Sequence, residues 1–489
     1  MDQELIGLIG NFLLNLEFAY YLITLLQWYN YSFYRVIFMH HKFMWHIWYF
    51  VLPLCVFFAL HTMHLEQYCI LLAIVFFIAL VLWRSKQDKP LRFTKRVQRF
   101  FGLCVIFGFL DIFLSIAFKV DNLLLHAFTL VFAVLVSNIY EATLMKQYTK
   151  IAQDKLQIMT RLRIITITAS FGKTSIKNYL TQILSKHFHV YATPRSVNTL
   201  RGIVADINEN LDYSTEIYIT EAGARLKGDI DEIVQFLHPQ YVVIGEIGEQ
   251  HIEYFKNIQN ITNTKFEILN SLRLKRAFVF KENALPQDLE PEKKSCMRFY
   301  PMEYRNIQAT LDGTNFSLKI NDKWQDFETK ILGEFNVYNI AVAVSVALEF
   351  GMKVEEIVQA VNRLEQVPHR LQKITANQKL ILDDSFNGNL KGMLEAIRLA
   401  SLYDGRKVIV TPGIVEGSDE ANKQLAKRID EVFDIAIITG ALNARVFREN
   451  IKNAQKIFLQ TKDSLESMLK ACTLSDDLVL FSNDAPSFI

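Results

Sequence analysis

Three residues in the stretch TASFGKTS (168–175) are of the types that handle phosphate: Gly172, Lys173 and Thr174. They stand between an apolar run, IITIT (164–168), and IKNYLTQILSKHF, whose apolar residues recur at helical spacing. At such a junction backbone N–H groups and a helix N-terminus face a phosphate. The lysine neutralises it, and the threonine hydroxyl is offered to a Mg²⁺ ion. The commonest spacing of such loops asks for a further glycine at position 167, which is Ile; another frequent glycine position is occupied by Ala169. Alanine disfavours a positive φ and adds a methyl where a phosphate would approach. Glu221 closes a second apolar run, EIYIT (216–220), and a carboxylate at a strand end beside a phosphate loop is placed to ligate magnesium. His251 follows a third run, YVVIGEI (241–247), and Lys265 lies just beyond, in NTKFEIL (263–269). Read singly, Glu221, His251 and Lys265 are equally ordinary loop or helix residues; a shared ligand-facing edge is what would connect them.

That edge requires a particular architecture. Short apolar strands alternating with helices from Arg163 onward argue for a parallel sheet with ligands at the carboxyl ends of its strands. Residues 305–330 alternate and contain the turn DGTN, which predicts a small antiparallel insert, and a helix is expected over 336–351. Pro368 in QVPHRLQ (366–372) marks a domain junction. Beyond it LILDD, KVIVTP, IAIITG, KIFLQ and LVLFS predict five strands of a second alternating domain. The expected organisation is an α-helical membrane domain (1–140), a linker helix (141–160) and two α/β domains (161–367 and 368–489).

The first 140 residues hold much of the aromatic content of a chain with 37 Phe and 19 Tyr. Apolar runs near 5–28, 46–63, 67–83, 100–118 and 122–140 are long enough to span hydrocarbon, which needs about 20 residues. The first carries Asn11, Asn15 and Glu17, so it either spans or lies at the interface with polar residues toward a partner helix, leaving four or five spans. The acidic start MDQEL argues against a cleaved signal peptide. The stretch RSKQDKPLRFTKRVQR (84–99) carries Arg84, Lys86, Lys89, Arg92, Lys95, Arg96 and Arg99, whereas the turns at 64–67 and 119–122 are nearly uncharged. The positive-inside rule then puts 84–99 and everything after 140 in the cytoplasm. A net charge of +2 gives no field for nucleic acid. The five cysteines contain no Cys-x-x-Cys, which excludes a cysteine-rich zinc site and a disulfide framework.

Taken in order, these pieces resemble the Mur ligases, ATP-dependent amide-forming enzymes of peptidoglycan precursor synthesis. The family loop T-G-[ST]-x-G-K-T is matched by Thr168, Ser170, Gly172, Lys173 and Thr174, with Ala169 for its glycine. TEAGA (220–224) resembles E-x-G-A. IGEQHIEYF resembles N-I-G-x-x-H-L-E-x-F, with Glu246 for the asparagine, and TKFEIL resembles A-K-x-E-I. LGEFNVYNIAVAVSVALEFG (332–351) resembles G-x-H-N-x-x-N-x-x-A-A, with Phe335 for histidine. HRLQ and DDSFNGN (383–389) resemble R-L-x and D-D-S-Y-N-A-N-P, with Leu390 for proline; this last form is typical of the branch that adds D-Ala-D-Ala to UDP-MurNAc-tripeptide.

The resemblance implies ATP and Mg²⁺ as cofactors and an acyl-phosphate intermediate. It implies that Ser170, Gly172, Lys173, Thr174, Ser175, Asn336, Asn339, Arg370 and Asp384 contact the nucleotide. It further implies that Thr174 and Glu221 ligate one Mg²⁺, and that His251 and a carbamylated Lys265 serve a second, so that Lys173, His251 and Lys265 carry the catalysis. The implied partners are UDP-MurNAc-peptide, D-Ala-D-Ala, the lipid bilayer of a bacterial inner membrane and other cell-wall enzymes, with no nucleic acid. No stretch resembles the family's UDP-binding domain; the apolar region stands in its place. Two alternatives stay open: a lipid-linked acceptor, or a membrane scaffold whose ligase domain has decayed.

Overall fold

The computed structural model describes residues 3–484 except 30, 39, 41, 88–89, 119–122, 250–251, 377, 387, 416 and 461–463. Of the residues singled out above, His251, Lys89, Asn387 and the turn at 119–122 lie outside the described residues. The chain divides into two compact units, Met1–Thr149 and Lys150–Ile489.

The first unit is helical. Five helices are long and apolar enough to cross a membrane: Glu4–Trp28, Met44–Thr62, Glu66–Arg84, Lys95–Phe118 and Phe128–Ile158. The third shows the pattern they share. Cys69, Ala73, Phe76, Leu80 and Trp83 recur at helical spacing and are buried, while Leu71, Ile74, Val75, Ile78, Val81 and Leu82 are exposed. The polar residues of the first helix turn inward. Asn11 is buried with its Oδ1 3.2 Å from His61 Nε2, and Asn15 donates to the carbonyls of Asn11 and His126. His126 Nδ1 in turn sits 2.7 Å from Asp111 Oδ2. The first helix therefore packs as a full member of the bundle. Backbone approach makes this possible at Gly10, where a Cβ would fall 2.4 Å from the amide nitrogen of Ile70. The stretch 141–158 is a continuation of the fifth apolar helix.

The second unit contains three sheets. The first has order β2-β3-β1-β4-β5-β6, with β1 (Arg163–Thr168), β2 (Val190–Ala192), β3 (Ile217–Glu221), β4 (Tyr241–Ile244), β5 (Arg276–Phe280) and β6 (Met297–Tyr300) all parallel. β1, β3 and β4 are almost wholly buried, as strands covered on both faces must be, which is why they read as unbroken apolar runs. The helix Lys173–Leu184 buries Ile176, Tyr179, Leu180, Ile183 and Leu184. It packs against Phe335–Glu349, a helix of small and β-branched residues.

The insert is a three-stranded antiparallel sheet of β7 (Tyr304–Ala309), β8 (Thr314–Ile320) and β9 (Lys323–Thr329). The last sheet has order β10-β11-β15-β12-β13-β14. Five of its strands are those expected: β11 (Lys379–Asp384), β12 (Lys407–Thr411), β13 (Ile435–Thr439), β14 (Gln455–Leu459) and β15 (Leu478–Ser482). The additional edge strand β10 (Gln372–Ala376) pairs antiparallel with β11. We predict that Gly10→Val, which drives a side chain into the backbone of the neighbouring helix, lowers the stability of the helical unit by about 3 kcal/mol. Thermal unfolding of the full chain in detergent checks this; an unchanged transition would contradict the close approach.

Candidate active site

Strand register brings the chemistry to one edge. Ile167 of β1 is level with Glu221 of β3, and Thr168 is level with Ile244 of β4. The loops 169–172, 222–228 and 245–249 therefore leave the sheet side by side, at the carboxyl ends where an open α/β sheet takes its ligands. Two bonds tie them together: Thr168 Oγ1 donates to the carbonyl of Ala222 (2.9 Å), and Ser170 Oγ to that of Gly248 (2.9 Å).

Within the first loop Gly172 alone has a left-handed φ, +80°, and a Cβ there would lie 2.7 Å from Asn339 Oδ1. Ala169 is fully buried and has no positive φ, so its methyl causes no backbone strain. The room comes from Gly245, whose own Cβ would come within 2.7 Å of that methyl.

Lys173 begins the following helix, and its Nζ turns back to the carbonyls of Ala169 (2.5 Å) and Ser170 (3.3 Å). Burial pulls its ammonium down to about 8, against the opposing pull of Glu221. Thr174 Oγ1 donates to Glu221 Oε2 (3.3 Å). The other carboxylate oxygen, Oε1, is ion-paired with Lys177 Nζ at 2.9 Å. A carboxylate that is 1% exposed and stands beside a threonine hydroxyl is an oxygen donor set suited to Mg²⁺. Ser175 is buried one position further along the same helix.

Lys265 is buried at the end of the helix Ile258–Phe266. Desolvation, followed by the charge of Lys173, pulls its amine well below the ordinary lysine range. A neutral buried amine is the form that reacts with CO₂. Asn336 and Asn339 lie on the first turns of Phe335–Glu349 and are linked to each other (3.0 Å), and Asn336 is anchored to the carbonyl of Leu332 (2.8 Å). From the C-terminal side Arg370 donates to the carbonyl of Phe386 (2.8 Å) and lies over its ring. Burial lowers the Arg370 guanidinium, opposed by Asp384 and Glu221, and burial raises Asp384 to about 6, opposed by Arg370. Asp384 ends β11 next to Asp383, which is itself 2.7 Å from His369 Nδ1.

Two side chains important to this edge were not singled out in the sequence. Lys177 reads as one polar position of an amphipathic helix, and Lys391 as a solvated lysine. Lys391 Nζ is 3.1 Å from Glu246 Oε1, joining the loop after β4 to the first turn after DDSFNGN. The other departures from the family pattern also have partners: Phe335 and Leu390 pack against one apolar cluster of the C-terminal sheet. Ala169 thus meets Gly245, Glu246 pairs with Lys391, and Phe335 and Leu390 share an apolar cluster.

Residues 167–347 match the Mur ligase middle domain. The UDP-N-acetylmuramoyl-tripeptide--D-alanyl-D-alanine ligase of Bacillus subtilis is 25% identical over 334 residues, covering 65% of this chain and 72% of that protein. The enzyme of the same name from Borreliella burgdorferi is 29% identical over 286 residues, covering 56% of this chain and 61% of its own length. In three dimensions the chain is similar to the MurF ligase of Thermotoga maritima in complex with ADP, at a TM-score of 0.59 and 22% identity over 70% of this chain and 80% of the other.

Two outcomes follow. Gly172→Ala puts a Cβ at a left-handed position against Asn339 and lowers the affinity for a fluorescent ATP analogue by about tenfold or more; wild-type affinity would show that the loop is not the cradle. Lys265→Ala loses turnover and regains part of it in the presence of short carboxylic acids, read as phosphate release. Absence of rescue would count against a carbamate at this position.

Proposed function

We propose that this chain is a member of the Mur ligase family, an ATP-dependent ligase that joins D-Ala-D-Ala to UDP-MurNAc-tripeptide in peptidoglycan precursor synthesis. The observation that carries this reading is the cradle itself: the loop of Gly172, Lys173 and Thr174 follows a strand whose end is level with that of Glu221, and Thr174 Oγ1 donates to the buried Glu221 carboxylate (3.3 Å). Two relatives bearing the name of that activity support the choice of substrates.

The chemistry asks one anion to attack another. The terminal carboxylate of the tripeptide attacks the γ-phosphorus of ATP, ADP leaves, and an acyl phosphate forms. The amine of D-Ala-D-Ala then adds to the acyl carbon, the tetrahedral intermediate expels phosphate, and the amine loses its proton. Lys173 and the backbone N–H groups of 171–174 offset the phosphate charge. Arg370, held over Phe386, brings a further cation from the C-terminal side, and Asn336 and Asn339 border the nucleotide. Thr174 and Glu221 would hold Mg²⁺, and Lys265 as a carbamate, with His251, would hold a second. Bound there, Mg²⁺ supplies charge neutralisation between carboxylate and phosphate. Closure of the part that carries Arg370 and Asp384 onto the sheet edge would exclude water from the acyl phosphate.

The five apolar helices, with their exposed apolar faces, support a second part of the reading: the ligase is held in a bacterial inner membrane. The cations at 84–99 then mark the cytoplasmic side, where the ligase unit works. Lipid is thus a partner, and neighbouring cell-wall enzymes are candidates for others. The same helices favour a lipid-linked muramoyl peptide as the alternative acceptor. Phosphate release by the purified chain in nanodiscs separates these readings. Release that needs both UDP-MurNAc-tripeptide and D-Ala-D-Ala, and that falls to background in Lys173→Ala, is the expected result. Release only with the lipid-linked peptide would replace the substrate assignment, and turnover unchanged in Lys173→Ala would overturn the site.

A further inference from the structure

Lys177 lies one helical turn beyond Lys173, yet its ammonium serves different partners. The residue is 3% exposed. Its Nζ is 2.9 Å from Glu221 Oε1 and donates to the carbonyl of Thr193 (2.7 Å) and to that of Arg195, with Thr193 Oγ1 at 3.4 Å. A buried ammonium is costly unless its charge and hydrogens are met, and here one carboxylate and two carbonyls meet them.

The far end of the same loop is fastened independently. Gly223, two residues beyond Glu221, donates its N–H to the carbonyl of Asn198 (2.8 Å), and a Cβ at Gly223 would lie 2.8 Å from the Asn198 carboxamide carbon. Thr199 then caps the next helix by accepting from the N–H of Gly202. The segment 193–199 is thus pinned to the Glu221 strand end at one side by Lys177 and at the other by Gly223.

Glu221 has three cations within electrostatic reach: Lys173, Lys177 and Arg370. Among the described residues, Lys177 is the one that forms an ion pair with it. This division matters, because a Glu221 paired with Lys173 or Arg370 would hold those cations away from phosphate. We propose that Lys177 is the positioning residue of the metal–nucleotide site. It holds the Glu221 carboxylate beside Thr174, answers its charge so that Lys173 and Arg370 stay available to phosphate, and couples the carboxylate to the loop 193–199. The inference rests on the reading of this edge as a Mg²⁺–nucleotide site and needs no assumption about the acceptor.

The test is metal-dependent nucleotide binding by the full chain in nanodiscs, with a non-hydrolysable ATP analogue and Mn²⁺ followed by electron paramagnetic resonance. Lys177→Met is expected to raise the Mn²⁺ concentration at half-saturation tenfold or more, and Lys177→Arg to recover most of that loss. A merely structural lysine would lower the unfolding temperature without moving the metal half-saturation. A folded Lys177→Met with half-saturation equal to or below wild type overturns the proposal. Should that variant fail to fold, Lys177→Gln keeps an amide donor for the Thr193 carbonyl without the charge, and the same criterion applies to it. A wild-type chain that binds nucleotide yet releases no phosphate with the peptide substrates would refute the substrate reading and leave the role of Lys177 measurable.

Discussion

The site depends on the crowding of cations that the protein itself does not fully neutralise. Lys173, Lys265 and Arg370 are brought toward one sheet edge with Glu221 and Asp384. Burial pushes the lysine amines and the Arg370 guanidinium toward their neutral forms. Such an arrangement is expensive in an empty protein and becomes favourable when a polyanion fills it. The rest of the second unit can be understood as what makes the crowding possible. A fully buried parallel sheet sets strand ends level, short glycine-containing loops keep the backbone close, and a second lobe carries Arg370 and Asp384 to the same place.

Much of this was legible in the sequence. A GKT between an apolar strand and an amphipathic helix, a glutamate at the end of the next apolar run and a repeat of strand and helix already specify the edge, because burial on both faces leaves unbroken apolar strands. What could not be read are contacts between residues far apart. Lys177 and Glu221 are separated by a whole crossover, and Glu246 and Lys391 by 145 residues, so no local period announces them. The edge strand Gln372–Ala376 was missed for a related reason: half-buried and mixed in character, it has no apolar run of its own and exists by pairing with β11. The departures from the family pattern looked like decay when read one at a time. In three dimensions each has a packing or ionic partner.

The helical unit obeys the same physics with an apolar exterior. Its interior closes polar side chains on one another, as His126 does with Asp111 and Asn11 with His61, while its outer faces remain apolar. Asn11 and Asn15, which left the role of the first helix open in the sequence, are the residues that bind it to the bundle. Polar groups inside an apolar bundle are costly unless paired, and these pairs help fix which helices pack together.

The account stands on carboxylate activation by ATP at this edge, and one isotope experiment addresses it directly. UDP-MurNAc-tripeptide with oxygen-18 in its terminal carboxylate is turned over with D-Ala-D-Ala and ATP, and the inorganic phosphate and peptide are analysed by mass. One oxygen-18 carried into phosphate, matched by one retained in the new amide, is the predicted result. Product formed with phosphate free of label would contradict an acyl phosphate, and labelled peptide recovered unchanged would contradict the ligase itself.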